Sequence, residues 1–543
     1  MTPYFATFAV FAAVLIMHAS AAQGQDKPAA PPSAQQAAPA GDDEPRALVT
    51  IAPAAAPKAY SGMIFGGFIE HFDSQVYGGL FQPGSKLSDE RGFRKDVIAA
   101  MKELKLSVVR WPGGCFASGY HWKDGVGKKR KPVPDPVWGV TDNNTFGTDE
   151  FVAWCRLVGC EPYICTNAGN GTPEEMAHWV EYCNAENGEY AAMRKAGGHA
   201  EPLNVPIWSI GNENWGGHEI GAKTPQQWGP LVLRSAELMR SVDPRIKLAA
   251  AATPDRDWTV PLLQAAGKHL DYVAVHNYWF GLHGRNDMPD YLTCIMRSEG
   301  PDKTIAGVVA ILADTGFRGR IKIAFDEWNL RGWHHPGFPR KQPVDPNDKA
   351  AAELVARRED NAIAKQYTMA DALFAASFLN ACLRHCEDVG MANIAPIINT
   401  RGPLYVHPEG IVKRTTFHAL AMYANLLESR VGKLHVEAGP LVQGKGSIPV
   451  VDAVATCDES GGKWVIALIN RHPAKTAACT VRIGNLLPDG QYDATVLAGD
   501  SPEAYNDVEH PHRVAPEQKK VALARGVVNL PPHSLTIMHV AAK

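Results

Sequence analysis

Two stretches decide the fold: Pro206-Ile207-Trp208-Ser209-Ile210-Gly211-Asn212-Glu213-Asn214-Trp215 and Ile321-Lys322-Ile323-Ala324-Phe325-Asp326-Glu327-Trp328-Asn329. Each is a short apolar run that ends in a glutamate flanked by Asn and Trp. Such a run fits a strand buried on both faces, the kind found in parallel sheets. Working outward, six further runs of this kind appear: Met63 to Ile69, Ser107 to Trp111, Pro162 to Asn167, Ile246 to Ala251, Tyr272 to Val275 and Val389 to Ile398. Amphipathic segments with helical spacing lie between them, for example 91 to 104 and 172 to 184. The latter opens Thr172-Pro173-Glu174-Glu175, a helix start with proline in the first turn and early carboxylates. Eight strands, each followed by a helix, predict an α/β fold, a (β/α)8 TIM barrel over residues 63–425. An open doubly wound sheet gives a similar alternation, and the motifs at the strand ends must decide between the two.

In that count the two glutamates end strands four and seven. Barrel strands deliver their C-terminal residues to the mouth, so Glu213 and Glu327 face each other across it. Two opposed carboxylates about 5–5.5 Å apart are what retaining glycoside hydrolysis requires, one to attack the sugar carbon and one to protonate the leaving oxygen. Other strand ends supply groups that suit the same task. Strand one ends Phe68-Ile69-Glu70-His71, and Glu70 suits the holding of sugar hydroxyls. Arg110, in strand two, is expected to pair with the nucleophilic carboxylate and keep it ionised. Asn212 suits a donor to the sugar 2-hydroxyl. Strand six ends His276-Asn277-Tyr278-Trp279, with His276 at the mouth and Tyr278 in reach of the nucleophile or the ring oxygen. Trp215 and Trp328 are expected to form apolar walls for sugar faces.

Residues 426–543 read differently, as short β-rich segments separated by Gly, Pro, Asn and Asp. They predict a C-terminal β-sandwich, jelly-roll-like, with the strand segment in 46–62 pairing onto it. At the other end, an apolar run from Phe5 to Met17 followed by Ala19-Ser20-Ala21-Ala22 predicts a signal peptide over 1–22, cleaved or kept as an anchor, and hence an exported protein, periplasmic or extracellular. Residues 23–45, rich in Ala, Pro and Gln, read as a disordered linker. Ten cysteines contain no CxxC pair, so they are expected to pack as small apolar groups, and no zinc ribbon is indicated. A net charge of -3 gives no electrostatic case for nucleic acid or an anionic membrane as partner. Gly439 to Gly446 falls short of a phosphate-binding loop, because no Ser or Thr follows Lys445. His334-His335 has no partner at metal-ligand spacing.

Several ordered motifs resemble glycoside hydrolase family 51, the α-L-arabinofuranosidases: 66 to 71 (GGFIEH), 110 to 114 (RWPGG), 118 to 127 (SGYHWKDGVG), 146 to 151 (FGTDEF), 179 to 184 (WVEYCN), 211 to 216 (GNENWG) and 326 to 329 (DEWN). The resemblance implies hydrolysis, with retention, of terminal non-reducing α-L-arabinofuranosyl groups of plant cell-wall arabinan, arabinoxylan or small arabinosides. It implies Glu213 as general acid/base and Glu327 as nucleophile, with Glu70, Asn212 and Tyr278 against the arabinose and Cys115 near it. It further implies no metal or organic cofactor and a homo-oligomer, often a hexamer. The chain departs from the family's pattern at Pro396, where a glutamine commonly contacts substrate. Two rival readings stay open at this point. One is another retaining barrel glycosidase, an endoglucanase or β-xylosidase; the other is a noncatalytic carbohydrate-binding protein.

Overall fold

The computed structural model describes residues 44–280, 289–332 and 364–541. The signal peptide, nearly all of the linker, His334-His335 and the segment following strand seven lie outside the described residues. Eight parallel strands close into a barrel in sequence order. They are Gly66–Phe68, Val108–Trp111, Glu161–Thr166, Ile207–Ile210, Lys247–Ala252, Tyr272–Phe280, Lys322–Arg331 and Val389–Ile394. All eight runs read from the sequence are strands. The sixth and seventh extend past their apolar runs to Phe280 and Arg331, which carries their polar ends further into the mouth.

Val108, Tyr163, Ile207, Ala249, Tyr272, Ala274, Ala324 and Met391 form a cluster of their own, one or two residues from each of seven strands, consistent with the packed interior of a barrel. The outward residues pack on the surrounding helices. The segment read as helical over 172 to 184 forms the helix Pro173–Asn184, and the Thr172 hydroxyl accepts from the Glu175 amide at 3.1 Å. The segment over 91 to 104 shortens to Lys95–Glu103. The helix Met369–Arg384 is buried on nearly every side, because it lies between the barrel and the C-terminal sheets.

Those sheets hold four and seven strands. Arg46–Ile51 enters the smaller one, antiparallel to Leu434–Ala438 and parallel to Ala477–Ile483. The near-match to a phosphate loop is an antiparallel hairpin, Pro440–Gln443 with Gly446–Pro449. Polar anchors join sandwich to barrel. Asp452 accepts from Arg384 at 2.8 Å and from Asn380 at 3.0 Å, and Arg471 reaches Glu299 at 2.7 Å. All ten cysteines are free thiols, and nine of them are buried.

Candidate active site

The mouth is built from strand ends, and one irregularity arranges its chemistry. Strand pairing runs Ala274 with Ala324 but His276 with Glu327, so strand seven carries one extra residue. The same extra residue appears against strand eight, where Phe325 pairs with Ala392 and Trp328 with Ile394. Such a bulge breaks the in–out alternation and turns both Asp326 and Glu327 toward the barrel axis.

Arg110, fully buried, binds both of them. Its Nη1 donates to Glu327 Oε1 at 2.6 Å, its Nε lies 3.2 Å from Asp326 Oδ2, and its Nη2 donates to Asn212 Oδ1 at 2.7 Å. Tyr278 donates its hydroxyl to the other Glu327 oxygen at 2.7 Å. Glu327 therefore has both oxygens held, one by a cation and one by a neutral donor that a sugar can displace.

Glu213 stands opposite with φ +43°, a left-handed conformation that a non-glycine residue holds only when its surroundings enforce it. Its Oε1 lies 2.8 Å from His276 Nδ1 and its Oε2 lies 2.5 Å from His218 Nε2. Burial works against the charge on Glu213, but the hydrogen bonds from His218 and His276 prevail and hold its carboxyl well below the usual range. Burial also works against protonated His276, yet the charges of Glu327 and Asp326 lift its pKa to about 10. One oxygen each of Glu213 and Glu327, together with a nitrogen of His276, lie within 4.8 Å of one another. That spacing matches the retaining class, about 5–5.5 Å between carboxyls, and is too short for the water that inverting enzymes place between theirs.

Glu70 closes a third side. Its Oε1 accepts from the Phe116 amide at 2.8 Å and from Trp138 Nε1 at 2.9 Å. Its Oε2 is buried with no hydrogen-bond partner among the described residues. Burial, then the charge of Glu327, raise its carboxyl well above the ordinary value. An unpaired buried oxygen here awaits a hydroxyl donor. The sequence provides the room: a Cβ on Gly113 would lie 2.5 Å from Glu70 Cγ, and one on Gly114 would lie 2.7 Å from Glu327 Oε1. Gly114→Ala is therefore expected to lower kcat/KM by about 10²-fold, the penalty of roughly an ångström of misplacement. Arabinoside kinetics beside a thermal unfolding curve separates misplacement from misfolding.

Trp138 is itself held by Asp135, whose Oδ2 accepts from the Trp138 amide at 2.5 Å. Burial pushes the Asp135 carboxyl up to about 7, so the folded protein keeps that proton where the unfolded chain, with a value of 3.8, has lost it. Stability must then fall as pH rises from about 4 to about 7, by up to about 4 kcal/mol for this one group. Asp135→Asn is expected to flatten that decline, read from Tm across the window. An unchanged slope would contradict the assignment.

Most of the residues read from the sequence converge at the mouth, and Cys115, drawn from the resemblance, joins them with its sulfur within 4.8 Å of a Glu219 oxygen. One does not converge. Trp328 is 1% exposed and stacks on Phe378 at 3.7 Å between centroids, outside the barrel. It walls no sugar, because the residue after an inward side chain points outward. Arg110 pairs with Glu327 as its place in strand two suggests, and His276 lies at the mouth between Glu213 and Asp326. Three residues escaped the sequence reading. Asp326 accepts from Tyr163 at 2.9 Å and lies 3.1 Å from His276 Nε2. Glu219 accepts from Ser118 at 2.6 Å and from Asn212 Nδ2 at 2.9 Å. The third is His218, five residues after Glu213.

Two family profiles match the chain, the α-L-arabinofuranosidase 1 domain over residues 100–287 and the α-L-arabinofuranosidase C-terminal domain over 326–534. α-L-Arabinofuranosidase C of Emericella nidulans is 32% identical over 502 residues, covering 88% of this chain and 94% of its own. The family 51 α-L-arabinofuranosidase structure from Thermotoga petrophila is 31% identical with TM-score 0.79, covering 91% of this chain and 100% of that one. The chain belongs to glycoside hydrolase family 51, the α-L-arabinofuranosidases. A further relative, the intracellular exo-α-(1→5)-L-arabinofuranosidase of Halalkalibacterium halodurans, is 32% identical over 428 residues, 76% of this chain and 82% of its own. This family 51 hydrolase is a retaining arabinofuranosidase, and neither rival reading gains support.

Proposed function

We propose that the protein removes terminal non-reducing α-L-arabinofuranosyl residues from arabinan, arabinoxylan or arabino-oligosaccharides, with Glu327 as nucleophile and Glu213 as general acid/base. The observation that carries the roles is the short span between Glu213 and Glu327 combined with their unlike surroundings. Glu327 is gripped by the always-charged Arg110 on one oxygen and by the Tyr278 hydroxyl on the other. Glu213 touches two imidazoles, His218 and His276, each held, against burial, above the ordinary histidine value by the carboxylates around it. In the free site the proton that the leaving group needs is stored on those imidazoles. It returns to Glu213 when the glycosidic oxygen displaces His218, whose side chain is 24% exposed. Tyr278 releases Glu327 toward the ring oxygen, while Glu70 and Asn212 accept and donate to the sugar hydroxyls. Cys115 lies beside Glu219 at the same wall.

The relative named for exo-acting α-(1→5) cleavage supports short linear arabinan as one substrate. The net charge of -3 suits a neutral polysaccharide. Export follows from the run Phe5 to Met17 and the small residues after it, and N-terminal sequencing of protein recovered outside the cytoplasm tests it. Release of p-nitrophenol from the α-L-arabinofuranoside, beside the β-D-xyloside and β-D-glucoside, tests the substrate. Activity on the arabinoside alone is expected; activity confined to a control would move the specificity.

A further inference from the structure

The turn after strand four places Glu213 in a second group of side chains, of which Cys115 and Glu219 take no chemical step in double displacement. Cys115, Glu213, His218 and Glu219 each contribute one donor atom, and the four atoms lie within 4.8 Å of one another. We propose that these four residues form a binding site for one zinc-class divalent cation, and that the bound cation withdraws Glu213 from the reaction.

The donor set points to this class. A thiolate, an imidazole and two carboxylates are ligands that zinc accepts in a tetrahedron, whereas magnesium and calcium prefer oxygen alone. Around zinc the donors stand about 3.3–3.7 Å apart, as its bond lengths of about 2.0–2.3 Å require. His218 Nε2 already lies 3.7 Å from Glu219 Oε1, and its 2.5 Å approach to Glu213 Oε2 must open by about 1 Å. The remaining donor pairs lie within 4.8 Å and must close by at most about 1.5 Å. Binding sends the Cys115 thiol proton and the His218 Nε2 proton to solvent, and the sulfur and the nitrogen take their places at the cation.

Two features beyond the cluster fit a metal. Glu219 is fixed by Ser118 at 2.6 Å and Asn212 at 2.9 Å, the kind of outer hydrogen bonds that orient a ligating carboxylate. The partly exposed His218 stands beside Trp215, itself 36% exposed, and offers an entry path. The neighbouring group Glu213, His276 and Glu327 is a poorer site. It has no thiolate, and Arg110 already neutralises Glu327 at 2.6 Å.

A cation on Glu213 occupies the lone pair that must receive and deliver the proton, so occupancy and catalysis exclude each other. The ligand set stands whatever Glu213 does in catalysis; the inhibition rests on its role as acid/base. Cobalt(II) added to metal-free protein reads the site directly. One equivalent per chain is expected, with a thiolate-to-cobalt charge-transfer band and tetrahedral ligand-field bands. The charge-transfer band should vanish in Cys115→Ser, and affinity should fall about tenfold or more in His218→Asn. Zinc(II) should displace the cobalt and inhibit arabinoside hydrolysis, and a chelator should restore it. No charge-transfer band in the wild type, or one that persists in Cys115→Ser, would overturn the site. Stoichiometric binding with unchanged turnover would overturn the inhibition and the acid/base role together, leaving the ligands in place.

Discussion

Replacing Glu327 with alanine is expected to lower kcat by about 10⁴-fold or more on every arabinoside, however good its leaving group. The carboxylate is the atom group that attacks, so an activated aglycone cannot compensate for its loss. The truncation also leaves Arg110 facing a void, with Asp326 and Asn212 as its remaining polar partners and the Cys165 sulfur beside them. That rearrangement separates this variant from a mere loss of binding, because KM should change far less than kcat. Azide can occupy the vacated space and attack in a single displacement. The product should then be the arabinosyl azide of inverted configuration. Wild-type-like hydrolysis by Glu327→Ala would remove Glu327 from the mechanism.

Glu213→Ala should behave differently. Substrates with poor leaving groups should lose about 10²–10⁴-fold, the usual contribution of a positioned proton donor. A dinitrophenyl arabinoside needs little protonation, so its first step should stay fast while the second, which needs a general base, becomes rate-limiting. A burst of dinitrophenol should precede slow turnover. Azide should accelerate that turnover and give the azide of retained configuration, because two inversions have then occurred. The opposite stereochemistry in the two variants is a sharper contrast than either rate. Equal loss on every leaving group in Glu213→Ala would count against its role.

Much of this site could be read from the chain because buried parallel strands write themselves as apolar runs, and the residue that ends such a run lies at the mouth. Glu70, Arg110, Glu213, Tyr278 and Glu327 were found on that ground alone. Asp326 was not, because regular alternation would turn it outward if Glu327 faces in, and a bulge leaves no mark in one sequence. Trp328 was misplaced for the complementary reason. Adjacency in sequence was taken for adjacency in space, whereas its ring packs on Phe378 behind the strand. His218 and Glu219 sit in an aperiodic turn, where only their closeness to Glu213 hints at a role. The metal ligands escaped for a related reason: Cys115 comes from a different strand end, so no local spacing joins it to His218.

The central claim is that Glu327 becomes covalently bonded to arabinose during turnover. The most direct measurement is peptide mapping by mass spectrometry of Glu213→Ala quenched during turnover of the dinitrophenyl arabinoside, when the intermediate accumulates. A pentosyl adduct on the peptide that contains Glu327, and its disappearance on adding azide, is the predicted result. An adduct on any other carboxylate, or none while turnover proceeds, would contradict the account.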